Sequence, residues 1–315
     1  MVGKFGLQSV QVHSRSISLP ARLMHLNSLN IIEAEFDKPR TRKQYSSSSG
    51  GESAAGSGLI RLAELYNSIN EDVITSPSIQ RALHKQRHVK LVEEALDRSV
   101  ELLDACGNAR ELILNIKDQL QELQSALRRR VVGVGGDYSS MECKIHAYTS
   151  FRKKSKKDVA KCLRELKRID NNIIIDQSFN SNMVADLEHE QLVVILRESG
   201  ALTVSIFRSI LSFLSTPDQM KIKAGGGGWS LIRKLIPEAA YERSQEIFNE
   251  VGSVDIALYC LHRQIRRSDA KIDVQIALMR LEKLDVCIRD VESGLDCLFR
   301  RLIQNRVSLL NILTP

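Results

Sequence analysis

The chain has 315 residues, of which 43% are hydrophobic and 26% charged, so it can bury the core of one large domain or of two ordinary ones. Its formal charge of +7 invites anionic partners without requiring nucleic acid. Aromatic residues make up only 5% of the chain, so aliphatic side chains must fill the core, and this composition favours helix over strand.

The N-terminal segment, residues 1–58, is predicted to be a disordered tail. It lacks sustained hydrophobic periodicity, and residues 45–58 have the Ser- and Gly-rich composition of a flexible linker. The first acidic residue is Glu33, and no continuous apolar stretch resembles a secretory signal. Such a segment is typical of a plain tail or of an organelle transit peptide, and the tail is the favoured interpretation. The folded domain is expected over residues 59–315.

Hydrophobic residues then recur at helical spacing through most of the chain. The pattern predicts a short helix over 59–70 and another from Ser76, which can cap it, with Pro77 in the first turn. Longer helices are predicted over 87–130, 141–170 and 184–216, and an Asn-rich loop follows the second of them. Gly107, midway along the first long helix, is expected to kink it or to permit a close helix contact.

Helical patterning resumes at about Pro237 and is expected to continue almost to the C-terminus. Its last part alternates spacings of three and four, as in a heptad seam: Val274, Ala277, Leu281, Leu284, Ile288, Val291, Leu295, Leu298, Leu302, Asn305, Leu309 and Ile312. Apolar residues flank this seam and favour packing inside an intramolecular bundle over a free two-stranded coil. Asn305 is expected to fix the register or to lie where the helix end meets water. The predicted fold is all-α, a long-helix antiparallel bundle with a disordered N-terminal tail.

No constellation of residues indicates an enzyme. Residues 225–228 are four glycines without the Lys-Ser/Thr of a phosphate-binding loop. His84 and His88 are four residues apart, but no Cys or carboxylate at a telling spacing completes a metal site. The six cysteines form no C-x-x-C pair and are expected to be reduced and packed in an intracellular protein. We therefore expect a non-enzymatic protein with no catalytic, cofactor-binding or metal-ligating residues.

The main electrostatic feature is a basic run within residues 152–168. Its densest part is predicted to form a basic surface at Arg152, Lys153, Lys154, Lys156, Lys157 and Lys161. The run is typical of a solvated helix face, and it also suits an anionic membrane surface or an acidic protein partner. Nucleic acid is disfavoured, because no aromatic residues are interleaved for base stacking.

Residues 192–214 are apolar and long enough to raise the question of a membrane span. They contain Arg197, Glu198 and Arg208. Each Arg near a bilayer centre costs roughly 2.5–3.5 kcal/mol. A buried helix of the bundle is therefore the favoured interpretation.

One short motif lies in the predicted tail. Arg15, Ser16, Ser18 and Pro20 spell R-S-x-S-x-P, the pattern of a phosphoserine ligand for 14-3-3 proteins, with Ser18 as the phosphorylated residue. Phosphorylation would add about −1.5 to −2 charges and three strong acceptors for an Arg-lined pocket. A disordered segment can extend into such a groove without unfolding a core. The alternative is a chance match in a Ser- and Arg-rich tail.

Four blocks of the sequence resemble a known family. They are HSRSISLPARLMHLNSLNIIEAEF from His13, LLDACGNARELILNIKDQLQELQSALRRR from Leu102, AYTSFRKKSKKDVAKCLRELKR from Ala147, and VESGLDCLFRRLIQNRVSLLNILTP from Val291. Together they resemble the plant-specific proteins of unknown function related to BYPASS, which are linked with root and shoot development. The resemblance implies a helical protein without an assigned reaction, and it supplies no catalytic residues.

These observations favour an interaction or regulatory protein, with the bundle as a scaffold and the tail as a regulated peptide. A cytoplasmic location is favoured. The alternative is a peripheral membrane protein, or one associated with an organelle such as the chloroplast, that uses the basic helix 152–168. The sequence leaves the partners and the oligomeric state open.

Overall fold

The computed structural model describes residues 54–75, 77, 80, 89–131, 138–179, 187–215, 249–264 and 270–313. These ranges form six α-helices: α1 Ala54–Ser68, α2 Val89–Val131, α3 Tyr138–Phe179, α4 Leu187–Leu214, α5 Glu250–Gln264 and α6 Ala270–Leu313. A π-helical segment, Ile69–Ile74, continues α1. The described ranges contain no strand, so the predicted all-α class is confirmed.

The C-terminal helix α6 is the centre of the bundle. It packs against α1, α2 and α5, and all twelve residues of the predicted seam, from Val274 to Ile312, are buried. Eight of the twelve are less than 2% exposed. If the seam faced solvent, these side chains would be exposed in a single chain. The seam therefore packs within the chain, as its wide apolar face predicts.

The long helices α2 and α3 run antiparallel on either side of the undescribed residues that connect them. Between α2 and α3, Lys144 pairs with Glu122 near one end, and Arg168 pairs with Glu101 near the other. The long helices α2 and α6 are also antiparallel, since partners late in α2 lie early in α6. This arrangement confirms the antiparallel bundle for these pairs.

Helix α1 differs, because it runs parallel to α6 and touches its backbone. A Cβ added at Gly56 would lie 2.7 Å from the Cβ of Asp290. A Cβ added at Gly294 would lie 2.6 Å from the Cβ of Leu59. Each helix thus contributes one glycine to the crossing, and each glycine is needed because no side chain fits there.

Asn305 fixes the register of this crossing. The residue is buried, and its Nδ2 donates a hydrogen bond of 2.9 Å to the backbone carbonyl of Tyr66 in α1. The Tyr66 hydroxyl in turn lies 2.9 Å from the Oγ1 of Thr203 in α4. Of the two roles predicted for Asn305, the structure shows the first, since its amide joins α6 to α1 away from water.

Several predicted boundaries are wrong. Helix α1 begins at Ala54, inside the predicted linker, because the small residues there pack against α6. Helix α3 continues through the predicted Asn-rich loop to Phe179, because Ile169 and Ile173 are buried in the core. Burial thereby outweighs the weak helix propensity of asparagine. The predicted C-terminal helix is divided into α5 and α6, which pack on each other.

Gly107 lies within α2, which continues on both sides of it. A Cβ at this position would meet no heavy atom within 4 Å, so the predicted close helix contact is absent there. The predicted tail up to residue 53 and the predicted helix start at Pro237 lie outside the described residues.

Candidate basic surface

The exposed basic residues of the run 152–168 share one face of α3. Eight side chains are exposed, and seven of them, all except the ion-paired Arg168, are Lys153, Lys154, Lys156, Lys157, Lys161, Arg164 and Lys167. At about 100° per residue, these side chains fall within an arc of roughly 160°, and the face is about 21 Å long. The opposite side of α3 carries buried residues, among them Val159 and Leu166, which fix this face toward solvent. We call these seven residues the basic face.

The basic face accounts for the charge of the chain. Residues 152–168 hold nine basic and two acidic side chains, which gives this segment a formal charge of +7. The whole chain also has a formal charge of +7, so the rest of the sequence is neutral in sum. The positive charge is therefore concentrated on one helix.

The lysines of the basic face have no ion-pair partner among the described residues, in contrast with basic residues elsewhere in the bundle. Lys117, for example, lies 2.6 Å from Glu292, and Arg208 lies 2.8 Å from Asp170. Arg168, at the end of the basic run, is also paired, with Glu101 and Glu165. The central lysines are thus available to a partner, and their mutual repulsion favours an anion near them.

Arg152 requires a correction, because it was predicted as part of the basic surface and is only 4% exposed. Its Nε and Nη2 donate to the two carboxylate oxygens of Asp255 in α5, at 3.2 and 3.3 Å. Its Nη1 donates to the backbone carbonyl of Leu214, at the C-terminal end of α4, at 3.1 Å. A cation is favoured there, because the last carbonyls of a helix carry partial negative charge.

Burial would lower the pKa of the Arg152 guanidinium, but Asp255 and then Tyr148 act in the opposite direction and leave that pKa raised. The buried Tyr148 hydroxyl also has a raised pKa, because burial and the Asp255 carboxylate both disfavour its ionised form. The Arg152 charge is thus held permanently between α3, α4 and α5. It positions the basic face and does not contribute to it.

Asn249 holds the same region from the other side. Its Oδ1 accepts a hydrogen bond of 2.9 Å from the backbone N–H of Gly252, so that it caps α5. Its Nδ2 donates to the carbonyl of Phe213 in α4, at 2.8 Å. The end of α4 and the start of α5 are therefore tied to each other, and Arg152 ties both to α3.

The other sequence predictions fall elsewhere. The apolar stretch 192–214 lies in α4, and many of its side chains, including Ile206 and Leu214, are fully buried. Among the helices in the described ranges, none is both long and apolar enough to cross a membrane. Arg15, Ser16, Ser18 and Pro20 lie outside the described residues, as do His84 and His88.

All six cysteines are free thiols. Cys106 is fully buried between α2 and α6, where its thiol lies 3.8 Å from the carbonyl of Leu295. Burial raises the pKa of this thiol to about 12, which keeps it protonated and unreactive at neutral pH. Cys143, by contrast, is exposed on α3. The prediction of reduced cysteines without disulfides is consistent with this arrangement.

One group of side chains was missed by the sequence analysis, which predicted no metal ligands. Glu142 and His146 of α3 converge with His262 of α5, with one ligand atom from each within 4.8 Å of the others. The i, i+4 spacing of Glu142 and His146 is visible in the sequence. His262 lies 116 residues further on, and only the packing of α5 on α3 brings it close.

The fold and surface define a class of protein, an all-helical bundle that displays one concentrated basic face. The family model described as Protein BPS1 matches residues 58–312, which include every helix in the described ranges except the first residues of α1 and the last of α6. The chain belongs to this family, in agreement with its resemblance to the BYPASS-related plant proteins. No curated protein and no solved structure matches the chain.

Proposed function

We propose that the protein is a non-enzymatic interaction scaffold, and that the basic face of α3 binds an acidic segment of a partner protein. The observation that carries the proposal is the exposure of adjacent lysines without ion partners in the described bundle. Each lysine carries a compact charge on a flexible side chain. Such side chains suit binding through the combined attraction of many charges more than rigid bidentate hydrogen bonding to one carboxylate. Membership of the BPS1 family supports a role in plant development. Because the sequence resembles the BYPASS-related proteins, we propose that this role lies in root and shoot development.

The rigid setting of the face supports this proposal. A flexible basic segment would lose conformational entropy on binding, whereas the backbone of α3 is already ordered by its packing. The contact between Arg152 and Asp255 and the cap at Asn249 hold α3 against α4 and α5. The remaining cost is the ordering of the lysine side chains.

Binding of a labelled polyglutamate peptide to the full chain, measured by fluorescence anisotropy, tests the proposal. The variant Lys153→Glu with Lys157→Glu changes the formal charge by four in the N-terminal half of the face. Its four charge steps, at about 0.2–1 kcal/mol each, sum to about 0.8–4 kcal/mol, so binding is expected to weaken at least about fourfold. Binding by the unmodified chain is also expected to weaken as salt is added.

The matched control is Lys283→Glu with Arg300→Glu, which changes the charge by the same amount on the exposed surface of α6. This control is expected to retain most of the affinity, because its charges lie on another helix. Equal losses in the two variants would show that only the net charge matters, and the proposal of a defined face would be wrong.

An anionic membrane surface is the second candidate, and the basic face is the observation that favours it as well. Each Lys near an anionic leaflet contributes about 1 kcal/mol, so that seven basic residues could hold the protein reversibly at such a surface. The apolar side of α3 is buried in the bundle and cannot insert between lipids. Sedimentation with phosphatidylserine vesicles tests this candidate, and phosphatidylcholine vesicles are the control. Loss of sedimentation in the Lys153→Glu, Lys157→Glu variant would assign it to the basic face.

The proposal also includes a cytoplasmic location and a phosphorylated tail that recruits a 14-3-3 protein through Ser18. Both rest on the sequence, and neither is needed for binding at the basic face. Imaging of the tagged full chain in plant cells tests the location. A signal confined to chloroplasts would contradict it and would favour a transit peptide.

A further inference from the structure

We propose that Glu142, His146 and His262 form a binding site for Zn²⁺ or a similar divalent transition-metal ion. Glu142 and His146 lie one helical turn apart on α3, so their side chains emerge on the same face. His262 lies near the end of α5. Two neutral imidazoles and one carboxylate are a ligand set that Zn²⁺ takes in proteins.

The distances match the proposed coordination. The Nε2 atoms of His146 and His262 lie 3.3 Å apart. A tetrahedral zinc ion with bonds of about 2.0–2.1 Å holds its ligand atoms about 3.3–3.4 Å apart, so both imidazoles could bind one ion with little movement. The Oε1 of Glu142 lies 3.7 Å from the Nε2 of His262, within reach of the same ion after a small side-chain rotation.

The arrangement of the rings is compatible with a shared ion. The rings of His146 and His262 meet edge to face, with an interplanar angle of 82° and centroids 4.9 Å apart. Without an ion, only one of two neutral Nε2 atoms can donate to the other, and a single hydrogen bond at a partly exposed position adds little stability. With an ion, both nitrogen lone pairs and the carboxylate face a positive charge.

The chemistry of the ligands restricts the metal. Imidazole suits Zn²⁺, Cu²⁺, Ni²⁺ and Co²⁺, whereas Ca²⁺ and Mg²⁺ take oxygen ligands. Three protein ligands leave a fourth position open to water, since His146 is exposed and His262 and Glu142 are partly so. The side chains are already close together, so the ion would bind the folded chain.

The ion would join α5 to α3 a second time. The first connection is the pair formed by Arg152 and Asp255, about two helical turns from the histidines along the antiparallel helices. Helix α5 has only 15 residues and follows a stretch outside the described ranges. An ion at its far end would hold the whole helix on α3 and so stabilise the region that carries the basic face.

The test is a titration of the full chain, freed of metal with a chelator, with Co²⁺ and then Zn²⁺. Tetrahedral Co²⁺ is expected to give visible absorption bands that saturate at one equivalent and disappear when an excess of Zn²⁺, whose filled d shell gives no such bands, replaces it. His146→Ala and His262→Ala are each expected to lower the Co²⁺ affinity at least about tenfold. Loss of a residue that only hydrogen-bonds to a metal ligand already lowers affinity about 10–100-fold, and loss of the ligand itself should cost at least as much. The conservative variant Glu142→Gln is expected to act in the same direction without removing packing volume.

The double variant His84→Ala with His88→Ala is the control, because it removes two histidines at i, i+4 spacing that are not part of the proposed site. It is expected to leave the Co²⁺ bands and affinity unchanged. Circular dichroism of each variant shows that it is folded. Absence of saturable binding in the unmodified chain would overturn the proposal. Undiminished binding by both His146→Ala and His262→Ala would overturn it too.

Discussion

The crossing of α1 and α6 predicts opposite effects for the same substitution at two helical glycines. Gly294→Ala adds a methyl group 2.6 Å from the Cβ of Leu59 and 3.1 Å from the carbonyl oxygen of Gly56. Gly107→Ala adds the same group where no heavy atom lies within 4 Å. Both positions are inside long helices, so the helix propensity changes by the same amount, about 0.8–1 kcal/mol in favour of alanine.

The magnitudes follow from these distances. Carbon atoms pack at about 3.5–4.0 Å, so the new methyl group at residue 294 requires a movement of about 1 Å. The opposing atoms belong to the backbone or are fixed to it, and no rotamer change can move them away. Overpacking of this kind costs about 1–3 kcal/mol, and we expect the upper end of that range. After the gain in propensity, Gly294→Ala should destabilise the fold by about 2 kcal/mol. Gly107→Ala should stabilise it by about 1 kcal/mol.

Urea unfolding of the two variants and the unmodified chain, followed by far-ultraviolet circular dichroism, measures both free energies of unfolding. The slopes should agree among the three proteins, so that the midpoints report stability alone. Stabilisation by Gly294→Ala as large as that by Gly107→Ala would refute the reasoning. It would mean that α1 does not lie against α6 at this distance.

Three further predictions concern the core, the thiols and the tail. Leu298→Asp should lower the free energy of unfolding by several kcal/mol, because it buries a carboxyl group in the seam. The control Val307→Asp, at a side chain that is 49% exposed, should change the melting temperature little. Equal effects of the two substitutions on the melting temperature would contradict the buried seam. A thiol-alkylating reagent should label Cys143 rapidly in the folded chain and Cys106 only after unfolding, as measured by mass spectrometry of the peptides. Labelling of Cys106 before Cys143 would contradict the burial of Cys106. A synthetic peptide covering residues 10–22 should bind a 14-3-3 protein with about micromolar affinity only when Ser18 is phosphorylated. Equally weak binding of the phosphorylated and unphosphorylated peptides would contradict that proposal.

The sequence predicts the helices well, because the spacing of apolar residues reports which side of each helix is buried. The α6 seam is an example, since every residue of it is in the core. The start of α1 could not be predicted in this way. Its first residues are Ala and Gly, whose composition is that of a linker, and their role depends on a contact with Gly294 more than 230 positions away.

In the candidate sites, too, features within one helix could be predicted from the sequence, whereas contacts between helices could not. The lysines of the basic face are predictable, because their periodicity and that of the buried residues lie within one helix. Arg152 has the same residue type as its exposed neighbours, and only its position toward Asp255 in α5 makes it a buried residue. The proposed metal site likewise depends on His262, whose approach to His146 is a consequence of the packing of α5 on α3.

Photo-crosslinking in plant tissue tests the central claim, that the basic face is where partner proteins bind. A crosslinking amino acid replaces Lys157 on the basic face in one version of the full chain, and Lys283 on the exposed surface of α6 in the other. The claim predicts that position 157 captures partner proteins at segments rich in Asp and Glu and that position 283 does not. Capture of the same proteins from both positions, or of no protein from position 157, would contradict it.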